Sequence, residues 1–156
     1  MALFGDKVEA NLKSSQKMVE SVIRDLGLDP ESSQLETEGP GRIAWGLMRG
    51  SAAVYVFLQS GEKENFIQVV SPVMKIPEQN ILPLYRRLLE LNAEALFGAA
   101  FGVKGEDVVL TIDRSTTDMD RSEVAAMIKL IGEYADQYDD ELVAEFGGQR
   151  HSDSAS

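Results

Sequence analysis

Residues 81–103 have the sequence ILPLYRRLLELNAEALFGAAFGV, in which a helical pattern passes directly into a strand pattern. In the first part the apolar residues recur at steps of three and four, which predicts an amphipathic helix that ends near Asn92. These residues are Ile81, Leu84, Leu88 and Leu91. In the second part large apolar residues alternate with Gly98, Ala100 and Gly102, and a period of two predicts a strand. Because one face of this strand carries almost no side chain, we expect another surface to pack closely against it.

The chain before this segment is predicted to form one helix and three strands. Helical spacing from Val8 to Leu26 predicts the first helix, and Gly27 followed by Pro30 ends it. Three runs of alternating or β-branched apolar residues then predict the strands of an antiparallel meander. The runs cover residues 43–47, 54–58 and 66–70.

Capping residues predict where two helices begin. Asn80 can cap the middle helix, and Thr117 with Asp120 resembles a capping box that opens the last helix. The last helix has an apolar face from Val124 to Leu142, and it ends at Gly147-Gly148.

The order of these elements predicts the fold class. Residues 108–112 alternate and complete a hairpin with the small-residue strand. The order is therefore helix, three strands, helix, two strands, helix. Because strands are grouped instead of alternating singly with helices, we predict an α+β fold, a twisted antiparallel sheet of about five strands flanked by three helices.

The length of the chain fits one domain. A chain of 156 residues and 17.1 kDa can bury a single core. We assign residues 1–148 to one α+β domain. Residues 149–156 contain no large apolar residue and are predicted to be a disordered C-terminal tail. The single histidine, His151, lies in that tail, so it is not expected to act as a catalytic base or metal ligand.

Acidic residues outnumber basic residues by 26 to 15, and the formal net charge is -11. The excess lies in residues 28–41, with four acids and no base, and in residues 118–145, with nine acids and two bases. Such a charge repels nucleic acid, so no nucleic-acid partner is expected. We interpret both segments as solvated faces, and the alternative is a docking face for a basic partner.

Several classes of chemistry are not supported by the sequence. There is no cysteine, which excludes disulfides, thiolate zinc sites and cysteine nucleophiles. Residues 1–6 lack the basic and apolar regions of a signal peptide, and the longest apolar run, residues 52–58, is too short to span a bilayer. We therefore expect a cytoplasmic protein without a membrane partner.

No catalytic or cofactor-binding residue is predicted. The chain has no glycine-rich phosphate loop and no nucleophile elbow. Asp113, Asp118 and Asp120 are a candidate metal site, but they lack the twelve-residue loop of a calcium site, and Asp118 and Asp120 are predicted to cap the last helix. A second acidic cluster is interpreted as a solvated helix face. Its members are Asp136, Asp139 and Asp140.

Three segments together resemble a known family. They are Leu88–Asn92 (LLELN), Leu96–Phe101 (LFGAAF) and Val108–Leu110. This pattern resembles the YbjN family of bacterial sensory transduction regulators and is similar to class I type III secretion chaperones, over roughly Val8 to Phe146. The resemblance implies a type III secretion chaperone-like α+β fold, a homodimer that binds other polypeptides, and no catalytic residues to carry over.

Together these observations favour a non-enzymatic protein- or peptide-binding regulator or chaperone-like adaptor. Its expected partners are a second copy of itself and an unknown polypeptide, with no cofactor or metal. The candidate dimer or partner surface consists of Gly98, Ala100, Gly102, Leu84 and Leu88. The alternative is a small-ligand or metal-binding sensor, or a metal-dependent enzyme, that uses Asp113, Asp118 and Asp120.

Overall fold

A computed structural model describes residues 2–153 of the chain, and the side chains from residue 5 onward. The helices are α1 (Ala2–Asp25), α2 (Pro30–Ser33), α3 (Ile81–Glu94) and α4 (Arg121–Phe146). The strands are β1 (Gln34–Leu35), β2 (Arg42–Arg49), β3 (Ala52–Ser60), β4 (Asn65–Lys75), β5 (Ala100–Lys104), β6 (Asp107–Ser115) and β7 (Gln149–Arg150). Within residues 2–153, no helix has both the length and the apolar character needed to cross a bilayer.

The strands form one antiparallel sheet with the order β1-β2-β3-β4-β6-β5, and β7 pairs with β4. This confirms the predicted α+β class and the predicted order of the long elements. The polar stretch before Gly39 can hold a short edge strand, and β1 lies there. Among the described residues, α2, β7 and a 3-10 turn at residues 151–153 are further short elements, and each has at most four residues, too few to show a period in the sequence.

Contacts divide the chain into two compact units. Unit 1 comprises Met1–Leu47, Tyr55–Val69 and Asp113–Ile128, and unit 2 comprises Met48–Val54, Val70–Ile112 and Lys129–Ser156. The strands β2, β3, β4 and β6 and the helix α4 each contribute residues to both units. The assignment of residues 1–148 to a single domain stays a prediction.

In unit 1 the alternation of β3 determines which side chains are buried. Val56 and Leu58 are fully buried, whereas the alternating residues Tyr55, Phe57 and Gln59 are partly or fully exposed. Successive side chains of a strand point to opposite faces, so one face of β3 contributes to the core and the other meets solvent. The core of this unit also contains buried residues of α1, β2, β4 and α4. They are Val19, Val22, Ile23, Trp45, Ile67 and Val124.

The beginning of α4 differs from its prediction. Glu123 N donates a hydrogen bond to Asp120 Oδ1 at 2.9 Å, and Asp120 N donates to Glu123 Oε2 at 2.8 Å. The reciprocal capping box is therefore Asp120 with Glu123, three residues later than Thr117 with Asp120. The reason is a turn at Asp118, whose φ of 56° keeps the preceding residues out of the helix.

The two ends of α3 also differ from their predictions. Asn80 precedes the helix with a φ of 63° and makes no side-chain cap; its Nδ2 donates to Phe146 O at 3.5 Å. A residue in the left-handed region does not direct its side chain to the first helical amides, which explains the missing cap. The helix continues past Asn92 to Glu94, and Ala95 N then donates to Leu91 O.

The C-terminal residues of unit 2 have secondary structure up to residue 153, and the disorder of the tail stays a prediction. Gln149 and Arg150 pair with Lys75 and Met74, and residues 151–153 form a single 3-10 turn. Arg150 Nε and Nη2 donate to Asp153, and Nη1 donates to Asp140 Oδ1 at 3.0 Å. Polar contacts hold this segment, and no apolar pattern in the sequence signals them. Residues 154–156 of the predicted tail lie outside the described residues.

Candidate functional site

The predicted surface of α3 and the small-residue strand lies in unit 2. Ala100 and Gly102 are in β5, and Gly98 precedes that strand with a φ of 84°. Leu84 and Leu88 are buried, so they are removed from the candidate surface. Helical spacing identified their stripe correctly as apolar, but that stripe contacts the core of its own unit.

A second group of apolar residues on α3 and beside β5 is exposed. Leu82 is 78% exposed, Leu89 is 68% exposed and Phe97 is 82% exposed, and Val103 of β5 is about half exposed. We call these four residues the α3–β5 patch. Leu82 and Leu89 lie seven residues apart, two turns of helix, and therefore share a side of α3. Single exposed apolar residues are normal on monomeric proteins, whereas a large contiguous group of them marks an interaction site.

Sequence reasoning missed the exposed stripe of α3. The available signal was the pair Leu82 and Leu89, which recurs at helical spacing beside the stripe that contains Leu84 and Leu88. It is unfavourable to leave both apolar stripes of a helix in water, so this second stripe would have indicated a partner surface.

The bare face of β5 is open within unit 2. A Cβ atom added at Gly102 would lie 3.9 Å from Val109 Cγ2, which is an ordinary contact distance. A Cβ atom at Gly98 would lie 3.6 Å from Ile112 Cδ1, although the positive φ disfavours a side chain there. Crowding inside the unit therefore does not explain the small residue at position 102.

Unit 1 contains an aromatic surface on the solvent side of β3. The Tyr55 and Phe57 rings stack with centroids 6.5 Å apart, and the Arg42 guanidinium lies 4.6 Å above the Phe57 ring. Leu35 and Tyr55 fold over Gly46, where a Cβ would meet their side chains at 3.4 and 3.5 Å. This arrangement keeps aromatic and apolar side chains at the surface.

A surface cavity of about 380 Å³ adjoins these aromatic rings. We call it the sheet cavity. Its lining residues come from β2, β3, β4 and β6, and they are Arg42, Phe57, Gln59, Phe66, Ile67, Gln68 and Asp113. It combines two exposed or partly exposed rings, one cation and one carboxylate, which suits an extended polypeptide better than a compact metal ion.

The three carboxylates weighed as a metal site have separate surroundings in unit 1. Asp113 lines the sheet cavity, whereas Asp118 lines another cavity together with Lys7 and Lys63. Asp120 caps α4, and hydrogen bonds from the Ser122 hydroxyl and the Glu123 amide lower its pKa. Within the described part of the chain, no group of three or more acidic or histidine side chains is placed to hold a metal ion.

The second acidic cluster is also divided among separate interactions. Asp136 accepts a hydrogen bond from Ser51 Oγ at 3.2 Å, and Asp140 pairs with Arg150. Asp139 is 8% exposed, and burial is the main cause that raises the pKa of its carboxyl group. The interpretation of all three as a solvated helix face therefore holds for Asp136 and Asp140 but not for Asp139.

Comparison with protein families identifies the family of this chain. Residues 13–154 match the family TY-Chap1, described as type III secretion system (YopN, CesT) and YbjN peptide-binding chaperone 1. The chain belongs to this family. The match confirms the resemblance to YbjN proteins and secretion chaperones that was based on the segments LLELN, LFGAAF and Val108–Leu110. No curated protein sequence is significantly similar to this TY-Chap1 member.

Three solved structures share the fold of this TY-Chap1 member. A chain of the HopA1–SchA chaperone–effector complex has a TM-score of 0.58 at 11% identity, covering 85% of this chain and 97% of that chain. A chain of the ExsC–ExsE complex has a TM-score of 0.60 at 14% identity, covering 83% and 94%. A chain of the ExoU–SpcU heterodimer from the type III secretion system of Pseudomonas aeruginosa has a TM-score of 0.53 at 12% identity, covering 81% and 96%.

Proposed function

We propose that this protein is a non-enzymatic, chaperone-like adaptor that forms a homodimer and binds a segment of another polypeptide. Membership of a peptide-binding chaperone family supports the binding of polypeptides. The three structures with the same fold are complexes of two proteins, and one of them is a chaperone–effector complex, which supports the same role. The cytoplasmic location expected from the sequence stays a prediction.

The observation that carries the homodimer is the α3–β5 patch. Its four apolar side chains, Leu82, Leu89, Phe97 and Val103, are exposed on one unit. β5 stands at the end of the strand order, with β6 as its neighbour. Two copies related by a twofold axis bring the same patch onto itself, which buries these side chains without any further partner. Gly102 has no side chain, so the backbone of a second copy can approach this strand closely.

The homodimer is tested by light scattering of the purified chain. The wild type is expected to have the mass of two chains, and Leu89→Glu the mass of one, because each interface would bury two unpaired carboxylates. Met48→Glu is the matched control, since Met48 is also 59% exposed in unit 2 but lies outside the patch. A monomeric wild type, or a dimeric Leu89→Glu, would contradict this interface.

The polypeptide partner is tested by affinity purification of the tagged full chain from its own host. We expect a stoichiometric polypeptide to copurify with the wild type and to be identified by mass spectrometry. Because family and fold indicate binding instead of catalysis, we also expect the partner to be recovered without cleavage or modification. Recovery of the protein alone, at several growth stages, would argue against the adaptor role.

A further inference from the structure

We propose that the sheet cavity of unit 1 binds an extended client segment through an arginine side chain, which stacks on Phe66 and pairs with Asp113. This inference rests on the proposed polypeptide-binding function and names the chemistry of the segment that is bound.

The chain itself provides an example of a guanidinium on this aromatic surface. Arg42 lies 4.6 Å above the centroid of Phe57, within the range at which a cation is attracted to a ring face. Phe66 is a second ring of the same cavity and is 42% exposed. Among the described residues, no cation lies over Phe66. In this cavity the Phe57 ring is therefore covered by a cation of the chain itself, and the Phe66 ring is not.

Asp113 supplies a negative charge in the cavity that also contains the Phe66 ring. Its side chain is exposed in the sheet cavity, and no described residue forms an ion pair or hydrogen bond with it. Arg114 pairs with Glu123 at 2.7 Å, and Arg42, which lies over Phe57, forms no ion pair with Asp113. Asp113 is therefore open to a cation that a bound segment supplies.

An arginine satisfies both groups better than a lysine. The guanidinium is planar, so it stacks on a ring while its edge donates two parallel hydrogen bonds to a carboxylate. A lysine ammonium is a compact and strongly hydrated charge that cannot make both contacts in the same way. The residues beside the arginine in an extended segment would be apolar, because alternate side chains of a strand reach the same face and would contact Tyr55 or Phe57.

The charge of the chain favours this kind of segment. The net charge is -11, and residues 28–41, which include the edge strand β1, contain four acids and no base. This field attracts a basic segment and accelerates its encounter with the protein. A second copy of the chain would carry the same negative charge, so it is a poorer occupant of this cavity than a basic polypeptide.

The test selects ligands from a phage library of random twelve-residue peptides on the immobilised full chain. We compare the wild type with Asp113→Asn, and the matched control is Asp6→Asn, which removes an exposed carboxylate of α1 in the same unit. The wild type and Asp6→Asn are expected to enrich peptides with an arginine between apolar residues. Asp113→Asn is expected to lose the enrichment of arginine.

The best selected peptide is then measured by fluorescence anisotropy beside its Arg→Gln version. We expect Asp113→Asn in the protein, or Arg→Gln in the peptide, to raise the dissociation constant about tenfold. The two changes together should raise it little more than either change alone. Phe66→Leu keeps the apolar volume but removes the ring, and it should weaken the arginine peptide more than its glutamine version.

Each other outcome overturns a distinct claim. Enriched peptides without a basic residue, or equal weakening by Asp113→Asn and Asp6→Asn, would overturn the arginine site and leave polypeptide binding intact. No enrichment by any variant would overturn the arginine site and also contradict the adaptor role. A change of assembly mass in Phe66→Leu would assign the cavity to a second copy of the chain and overturn the proposal.

Discussion

The side chain of Asn92 forms hydrogen bonds with both the backbone N–H and the backbone C=O of Phe101. Asn92 Oδ1 accepts from Phe101 N at 2.7 Å, and Asn92 Nδ2 donates to Phe101 O at 3.2 Å. Phe101 stands opposite Leu110 in the β5–β6 register, so these bonds satisfy the edge of β5 that faces away from β6. Because an open strand edge is a template for pairing with other chains, Asn92 closes part of that edge and joins α3 to β5.

Replacement of Asn92 by alanine should destabilise unit 2. Two backbone groups of Phe101 would lose their partners in a partly buried position, so we expect the free energy of unfolding to fall by about 1–3 kcal/mol. Urea denaturation followed by circular dichroism measures the change. Glu94→Ala on the exposed side of the same helix is the control and should change stability by less than about 0.5 kcal/mol. Equal effects of both variants would contradict the role of Asn92.

Replacement of Asn65 by alanine should loosen α1. Asn65 is fully buried, and its Nδ2 donates to Val8 O at 2.7 Å and to Asn11 Oδ1 at 2.9 Å. We expect the free energy of unfolding to fall by about 1–3 kcal/mol, because two partly buried acceptors of α1 would lose a donor. Hydrogen exchange should show faster exchange of α1 amides. Gln16→Ala, which removes a side-chain bond to Glu20 within α1, is the control, and unchanged α1 exchange in Asn65→Ala would be inconsistent with this role.

Asp139 should make stability fall as the pH rises. Burial raises the pKa of its carboxyl group above the ordinary value of 3.8, so the unfolded chain releases this proton more readily than the folded chain. The cost is absent below the unfolded pKa and is complete above the folded pKa. Asp139→Asn should therefore be more resistant to urea than the wild type at pH 7, with a difference that shrinks as the pH approaches 4. A difference that does not depend on pH would refute this assignment.

Replacement of Arg150 by alanine should release the C-terminal segment. Arg150 holds this segment through Asp153 and Asp140, and the β7 pairing covers two residues of β4. Amide exchange at Gln149 and Arg150 in NMR spectra is expected to be slow in the wild type and fast in Arg150→Ala. Fast exchange in both proteins would instead agree with the disordered tail that the composition predicts.

The long elements could be predicted because each periodic signal is repeated over many residues. The apolar face from Val124 to Leu142 spans five turns of α4, so no single residue decides the prediction. The caps were less predictable, because Thr117, Asp118 and Asp120 all belong to residue types that favour helix starts. The φ of 56° at Asp118 decides between them, and that angle is a property of the folded chain.

The candidate surface was predicted in part. The sequence indicated α3 and the small-residue strand, yet it could not tell which leucine stripe of α3 faces inward. Leu84 and Leu88 are four residues apart and Leu82 and Leu89 are seven, and both spacings are those of one helix face. Their burial depends on the direction from which the rest of unit 2 packs against the helix.

The sequence by itself determined the α+β class, the order of the long elements, the negative charge and the family pattern. Periodicity, composition and local motifs report these properties because each depends on neighbouring residues. Only the tertiary structure decided that Arg42, Phe57, Phe66 and Asp113, from four different strands, line one cavity. Residues far apart in the chain meet through strand order and register, and packing of the whole sheet sets these, whereas the local pattern of any one strand does not.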